Sequence, residues 1–325
     1  MDTKFISVII CTRNRSRELD RVLTSLEQME VTDKIDWEVV LVDNGSQDDT
    51  QAVVQRHASS LPLRYVVEQT PGLAYARNRG VDEAHGRYLI WTDDDVIVDS
   101  LWLSSYADAF GRFPDAVLFG GNIEPVLQPP TPSWFANNLP MLAGLVAARN
   151  FGPEQTPLSV TGNILPYGAN YAVRAAEQRS HLYNSDLGVS PWARRLGEET
   201  QVFVSILNAG HTGYGVPRSI VRHIIQPGRQ TKKYVVQYNK AVGETWAYLS
   251  DTRTENFLGA PIPETSKRFM GAPRWIWRKA ASHGILATAL GVFTASDRWL
   301  WHLSRYGYYT GAIRYWLRKT PSKAA

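Results

Sequence analysis

The sequence predicts an α/β fold: a mostly parallel sheet with helices on both faces, followed by a C-terminal helical region. Three observations carry this. Strand-like and helix-like segments alternate from the first residues. The strand-like segments are nearly continuous apolar runs rich in β-branched residues, as in strands covered on both faces. Polar clusters stand where three of those runs end, and open α/β sheets bind ligands at the carboxyl ends of their strands.

FISVIICT (5–12) reads as the first buried strand. Leu19, Val22, Leu23 and Leu26 follow at helical spacing. EVVLVD (38–43) is the second strand, and its end meets NGSQDDT, a turn that leads into a helix with Asp48 or Asp49 near its start. LRYVVE (63–68) is a third strand and residues 72–84 a helix. RYLIWT (87–92) and AVLFGG (116–121) are the fourth and fifth strands. Residues 122–165 read as irregular, with PPTPSW (129–134) as a turn. ANYAVR (169–174) is another strand, and GEETQVFVSILNAG (197–210) a helix with acids in its first turn and Gly210 as its C-cap. SIVRHII (219–225) is the last expected strand. Beyond Pro227 the pattern turns helical and aromatic, which divides the chain into a chemical part, 1–225, and a basic helical part, 226–325.

Composition narrows the function. At 325 residues and 44% hydrophobic, the chain can bury a large core. A single cysteine, Cys11, excludes an intrachain disulfide framework and a cysteine-based zinc site; inside SVIICT it reads as a buried core thiol. The opening MDTKFISVII has mixed charge and a short apolar run, unlike a secretory leader. The longest membrane-like window, GILATALGVFTA (284–295), falls short of a span. A cytoplasmic location is expected. Residues 1–225 carry 19 Lys and Arg against 26 Asp and Glu, a net −7, whereas residues 226–325 carry 16 against 5, a net +11. Basic and aromatic together suit an anionic surface; without a nucleic-acid-binding motif, nucleic acid is not expected.

LIWTDDDVIVDS (89–100) raises the main chemical question, since Asp93, Asp94 and Asp95 end an apparently buried strand. Buried carboxylates without partners are costly. A divalent cation at the strand end makes them tolerable, and Mg²⁺ or Mn²⁺ commonly bridges one or two carboxylates to phosphates. The triplet therefore reads as a metal site serving a phosphorylated ligand, or else as a solvated acidic turn. Asp43 stands where a carboxylate accepts hydrogen bonds from a ribose or a base, and equally where a turn aspartate occurs before Gly-Ser. Arg77 and Arg79 in LAYARNRG (73–80) either neutralise acids and phosphates or form surface ion pairs.

Six stretches then make one pattern: SVIICTRNR (7–15), VLVDNGSQDDT (40–50), PGLAYARNRG (71–80), YLIWTDDDV (88–96), YGANYAVR (167–174) and GEETQVF (197–203). Together, in this order and spacing, they resemble the family 2 glycosyltransferases with the Rossmann-like GT-A fold, across roughly residues 5–225. The resemblance implies an inverting transferase with a divalent metal and a nucleotide-sugar donor, most often a UDP-sugar, acting on a glycan or lipid-linked glycan. It implies that Asp43 holds the base or ribose, with Thr12, Arg13 and Arg15 lining the nucleotide pocket and Arg77 near the phosphates. Asp95 matches the metal-binding acid of the DXD-like motif, Asp93 or Asp94 the acid that meets the sugar or ribose, and His223 a histidine that completes the metal site in some relatives. Gly168 and Asn170, with Trp134, fall on the acceptor and sugar side. The family usually has Glu-Asp at the later helix, the second acid being the base; here Glu198 and Glu199 stand there, so Glu199 matches the base. A helix N-terminus favours the ionised form of such an acid.

The C-terminal hundred residues interleave Arg274, Arg278, Lys279, Arg298, Arg305, Arg314, Arg318 and Lys319 with many Trp and Tyr. They read as interfacial helices on an anionic membrane or as a helical cap with the aromatics in its core. Two other functions remain in view. A nucleotidyltransferase calls for a glycine-rich basic loop after the first strand, and TRNRS lacks the glycines. A non-catalytic scaffold of the same fold calls for loss of an acid, whereas Asp43, Asp95 and Glu199 are all present.

Overall fold

The computed structural model describes residues 4–192, 194–253, 262, 263, 265–293 and 296–319. In chain order they form β1 (Lys4–Thr12), α1 (Ser16–Glu27), β2 (Ile35–Asp43), α2 (Thr50–His57), β3 (Leu63–Val67), α3 (Leu73–Glu83), β4 (Tyr88–Asp93), β5 (Val96–Val98), α4 (Trp102–Arg112), β6 (Leu118–Leu127) and α5 (Ser133–Asn137). There follow β7 (Asn170–Arg174), α6 (Ala175–Ser180), α7 (Glu198–Asn208), β8 (Gly213–Ile225), α8 (Lys232–Thr252), the short strands β9 (Arg268–Phe269) and β10 (Ala272–Pro273), α9 (Arg274–Phe293) and α10 (Asp297–Lys319).

Eight strands make one sheet in the order β3-β2-β1-β4-β7-β6-β8-β5. β3, β2, β1 and β4 run parallel, and β7 then pairs antiparallel with β4. The apolar runs are buried as expected: Ile6, Val8, Ile9 and Ile10 of β1 and Val39 to Val42 of β2 are shielded from solvent on both sheet faces. On one face α1 docks Leu19, Val22, Leu23 and Leu26, an i, i+3, i+4, i+7 stripe. Full burial of each such side chain is worth about 1.5–3 kcal/mol.

Register turns these strands into a site. Thr12 lies opposite Asp43, and Cys11 opposite Asp93, so three parallel strands end level. The sequence gives no hint of β5, three residues directly after the acidic triplet. It pairs with β8, setting Val96 opposite His223. β6 and β8 are also longer than their apolar cores imply.

The chain divides into two compact units. The first comprises the described residues of Met1–Val126, Val146–Ala193 and Glu198–Ile224; the second comprises those of Leu127–Leu145, Arg194–Gly197 and Ile225–Ala325. In the second, α8 and α10 touch backbone to backbone. A Cβ on Gly243 would collide with the Tyr308 carbonyl, and one on Gly311 with that of Lys240. Among the described residues, no helix is long and apolar enough to cross a membrane.

Candidate active site

Two groups of polar side chains meet at the strand ends of the first unit. The first surrounds the acidic triplet. Asp94 and Asp95 are buried, and the Arg15 guanidinium bridges them at 2.7 and 2.8 Å. Thr12 Oγ1 donates to Asp94 at 2.8 Å. The Asp95 carbonyl accepts the Ile224 N–H, which fixes β8 beside it and brings His223 Nε2 within 3.4 Å of Asp95 Oδ1. His223 Nδ1 lies 2.7 Å from the Val146 carbonyl, so Nδ1 carries the proton and the ring presents Nε2 to Asp95. Burial, opposed by Arg15, pushes Asp94 up to about 7. Burial and then the Asp95 charge raise Asp93, although its side chain keeps 39% of its surface in solvent, which screens the effect.

Beside this group, Asp43 accepts from the Ser46 N–H at 2.8 Å and the Tyr65 hydroxyl at 2.7 Å. A carboxylate has about four acceptor positions, so capacity for further donors remains. No local pattern singles out Tyr65, which lies on the neighbouring strand β3. The loops after β1 and β2 are laced together, with Ser46 Oγ accepting from the Asn14 N–H and Asn14 Oδ1 from the Gln47 N–H.

The second group is centred on Arg77 of α3. Its buried guanidinium meets Glu198 at 2.6 Å, Glu199 at 3.5 Å and Asp93 at 3.8 Å. Burial opposes the Arg77 charge, but these acids hold its pKa well above the usual value. The two glutamates at the start of α7 have different surroundings. Glu198 is 4% exposed, and burial followed by the Glu199 charge pushes it up to about 8 against the pull of Arg77. Glu199 is 19% exposed and lies against Gly168, where a Cβ would stand 3.1 Å from its Oε1 and 3.0 Å from Arg77 Nη2.

The remaining expected residues take these places. Asn170 is fully buried, with both ends of its amide used: Oδ1 accepts from Trp102 Nε1 and Tyr106, and Nδ2 donates to the Asn122 and Ser219 carbonyls. It therefore locks the sheet. Trp134 belongs to the second unit, where its ring packs edge-to-face on Phe135 and Trp299. Arg13 is exposed beyond β1. Arg79 pairs with Glu83 at 2.6 Å along its own helix, the surface ion pair. Cys11 is only partly buried, yet desolvation raises its thiol to about 12.

Among the described residues no group of three or more His, Cys, Asp or Glu is arranged to hold a metal ion. Asp95 and His223 nevertheless offer one carboxylate and one imidazole 3.4 Å apart. Mg²⁺ and Mn²⁺ sites often draw their remaining ligands from phosphate and water, so this donor pair fits such an ion.

Residues 7–140 match the family model for glycosyl transferase family 2. These residues are a family 2 glycosyltransferase domain. The chain is 31% identical over 99 residues to a cholesterol galactosyltransferase of Borreliella burgdorferi, a match covering 30% of this chain and 27% of the relative. It is 25% identical over 257 residues to the succinoglycan biosynthesis protein ExoM of Rhizobium meliloti, covering 76% of each. The chain thus spans only about a quarter of the first of these relatives. A mannosyltransferase of Pyrobaculum calidifontis, solved with GDP-Man and Mn²⁺, superposes with a TM-score of 0.60 at 18% identity, covering 97% of this chain and 87% of that one. The family 2 domain thus has the GT-A fold.

Proposed function

We propose that the chain is an inverting glycosyltransferase. It moves a sugar from a nucleoside diphosphate sugar, a UDP-sugar first among the candidates, to a hydroxyl of a glycan or lipid-linked glycan. The observation that carries this reading is the gathering of Asp43, the Thr12–Asp94–Arg15–Asp95 network and Glu199 at the ends of adjoining elements in one unit. Hydrolytic glycosidases instead use two carboxyl groups flanking the bond and no nucleotide.

Asp43, with acceptor capacity left, receives hydrogen bonds from the base or ribose. Asp95 and His223 would hold Mg²⁺ or Mn²⁺, which when bound supplies Lewis-acid stabilisation of the departing diphosphate. Arg77 engages Glu198 and so separates the roles of the two glutamates. Glu199 is the general base. An acceptor hydroxyl has a pKa far above neutrality and needs its proton removed as it attacks. The acceptor oxygen bonds to the anomeric carbon, the bond from that carbon to the diphosphate oxygen breaks with its electron pair, and the proton passes to Glu199. Attack opposite the leaving group inverts the anomeric centre.

Calorimetric titration of UDP, GDP and dTDP, each with and without Mn²⁺, tests the donor side. Binding of one nucleotide that needs the metal and is lost in Asp95→Ala is expected. Failure of every nucleotide to bind folded protein would overturn the reading.

A further inference from the structure

The second unit exposes large apolar side chains in an unusual concentration. Phe269 and Met270 sit at the tip of the β9–β10 hairpin, with Met270 58% exposed, and Trp275, Ile285, Leu286 and Trp301 stand on α9 and α10, with Ile285 69% exposed. The exposed side of α9 is graded along its length. Arg274, Arg278 and Lys279 occupy its first two turns, and Ala281, Ile285, Leu286 and Ala289 follow at helical spacing. Trp301 packs edge-to-face on His283, in the middle of α9, and Arg305 lies over the Trp301 ring at 5.8 Å. A groove of about 710 Å³ between α9 and α10, lined by Ala280, Gly284, Ile285, Thr288, Tyr306 and Ile313, has no charged side chain in its wall.

Two features identify the occupant. Residues 265–319 carry ten Lys and Arg against one acid, Asp297, and the cations stay in excess after Glu244 and Asp251 of α8 pair with Arg314, Arg318 and Lys319. A second copy of so basic a surface would be repelled, whereas an anionic surface is attracted. Moreover, Arg278 and Lys279 precede Ile285 and Leu286 by seven residues on the same helix, about 10 Å at 1.5 Å per residue. That matches the depth between lipid headgroups and the acyl boundary, where Trp rings also settle.

We propose that α9, with the β9–β10 tip and Trp301, is a docking surface for an anionic phospholipid bilayer, with Ile285 and Leu286 entering the acyl boundary and Arg274, Arg278, Lys279 and Arg305 meeting the headgroups. The proposal rests on exposure and charge and is independent of the sugar-transfer reading.

The test is flotation of the full chain with vesicles of phosphatidylcholine alone or mixed with phosphatidylglycerol. Binding to the mixed vesicles only, weakened by salt, is expected. Ile285→Asp with Leu286→Asp lowers the partition at least about tenfold, through lost burial of two large side chains. Arg278→Ala and Lys279→Ala each lower it about five-fold. Leu182→Asp, at an exposed apolar position of the first unit, leaves it unchanged. All these positions are solvent-exposed, and unchanged melting temperatures confirm folded variants. No binding to mixed vesicles, equal binding to neutral ones, or full binding by the Ile285→Asp/Leu286→Asp variant overturns the proposal. So does a dimer in sedimentation that this variant dissolves while vesicles bind neither form, since the face then belongs to a second copy.

Discussion

Glu198 and Glu199 are adjacent in sequence and unlike in environment. One is closed in with Arg77, while the other opens toward Gly168. Glu199→Gln should therefore lower kcat about 10²–10⁴-fold while nucleotide affinity stays unchanged, as expected of a lost proton acceptor. A fall in nucleotide affinity with kcat intact would reassign the residue. Cys11 gives a second check, because a thiol raised to about 12 is almost entirely protonated at pH 8. It should resist a thiol reagent in folded protein and react at once in denaturant. The carboxylates could be found from the sequence, since DDD after an apolar run and Glu-Glu before a helical one are local patterns. Their partners could not. Arg15 lies 80 residues from Asp95 and Arg77 lies 121 from Glu198, and nothing local records such pairings.

The parallel strands were readable element by element, because burial on both faces leaves continuous apolar runs such as Val39–Val42. β5 was not, because three residues after a charged triplet carry no period. The α8–α10 contact was hidden for a different reason. Glycine inside a helix is weak by propensity, but tertiary packing uses Gly243 and Gly311 to bring two backbones together. Gly311→Ala should therefore cost about 2 kcal/mol or more in denaturant unfolding, despite alanine's better helix propensity. At β7, Asn170→Ala leaves the Trp102 N–H, the Tyr106 hydroxyl and two carbonyls without their partner. Buried polar groups stranded in this way cost about 1–3 kcal/mol each, so the variant should melt far below the parent or fail to fold.

For the whole molecule, the raised acids set a pH dependence. Asp94 moves from 3.8 to about 7 and Glu198 from 4.5 to about 8. Between the unfolded and folded values the native state holds more protons than the unfolded chain, so stability falls as pH rises from about 4 to about 8. Melting temperatures without metal should be higher at pH 5.5 than at pH 8, and the difference should shrink in Glu198→Gln, which stays neutral throughout. A flat profile in the parent would contradict the environment described for these two acids. Asn170, finally, makes assembly conditional. Its four partners lie 48 to 68 residues away, so no local segment can satisfy it. Until α4, β6 and β8 arrive, burying β7 leaves a bare amide, and a one-residue slip turns that amide to the opposite face. The side chain acts as a proofreading group for the collapsing sheet, penalising each near-miss arrangement and falling silent in the native one.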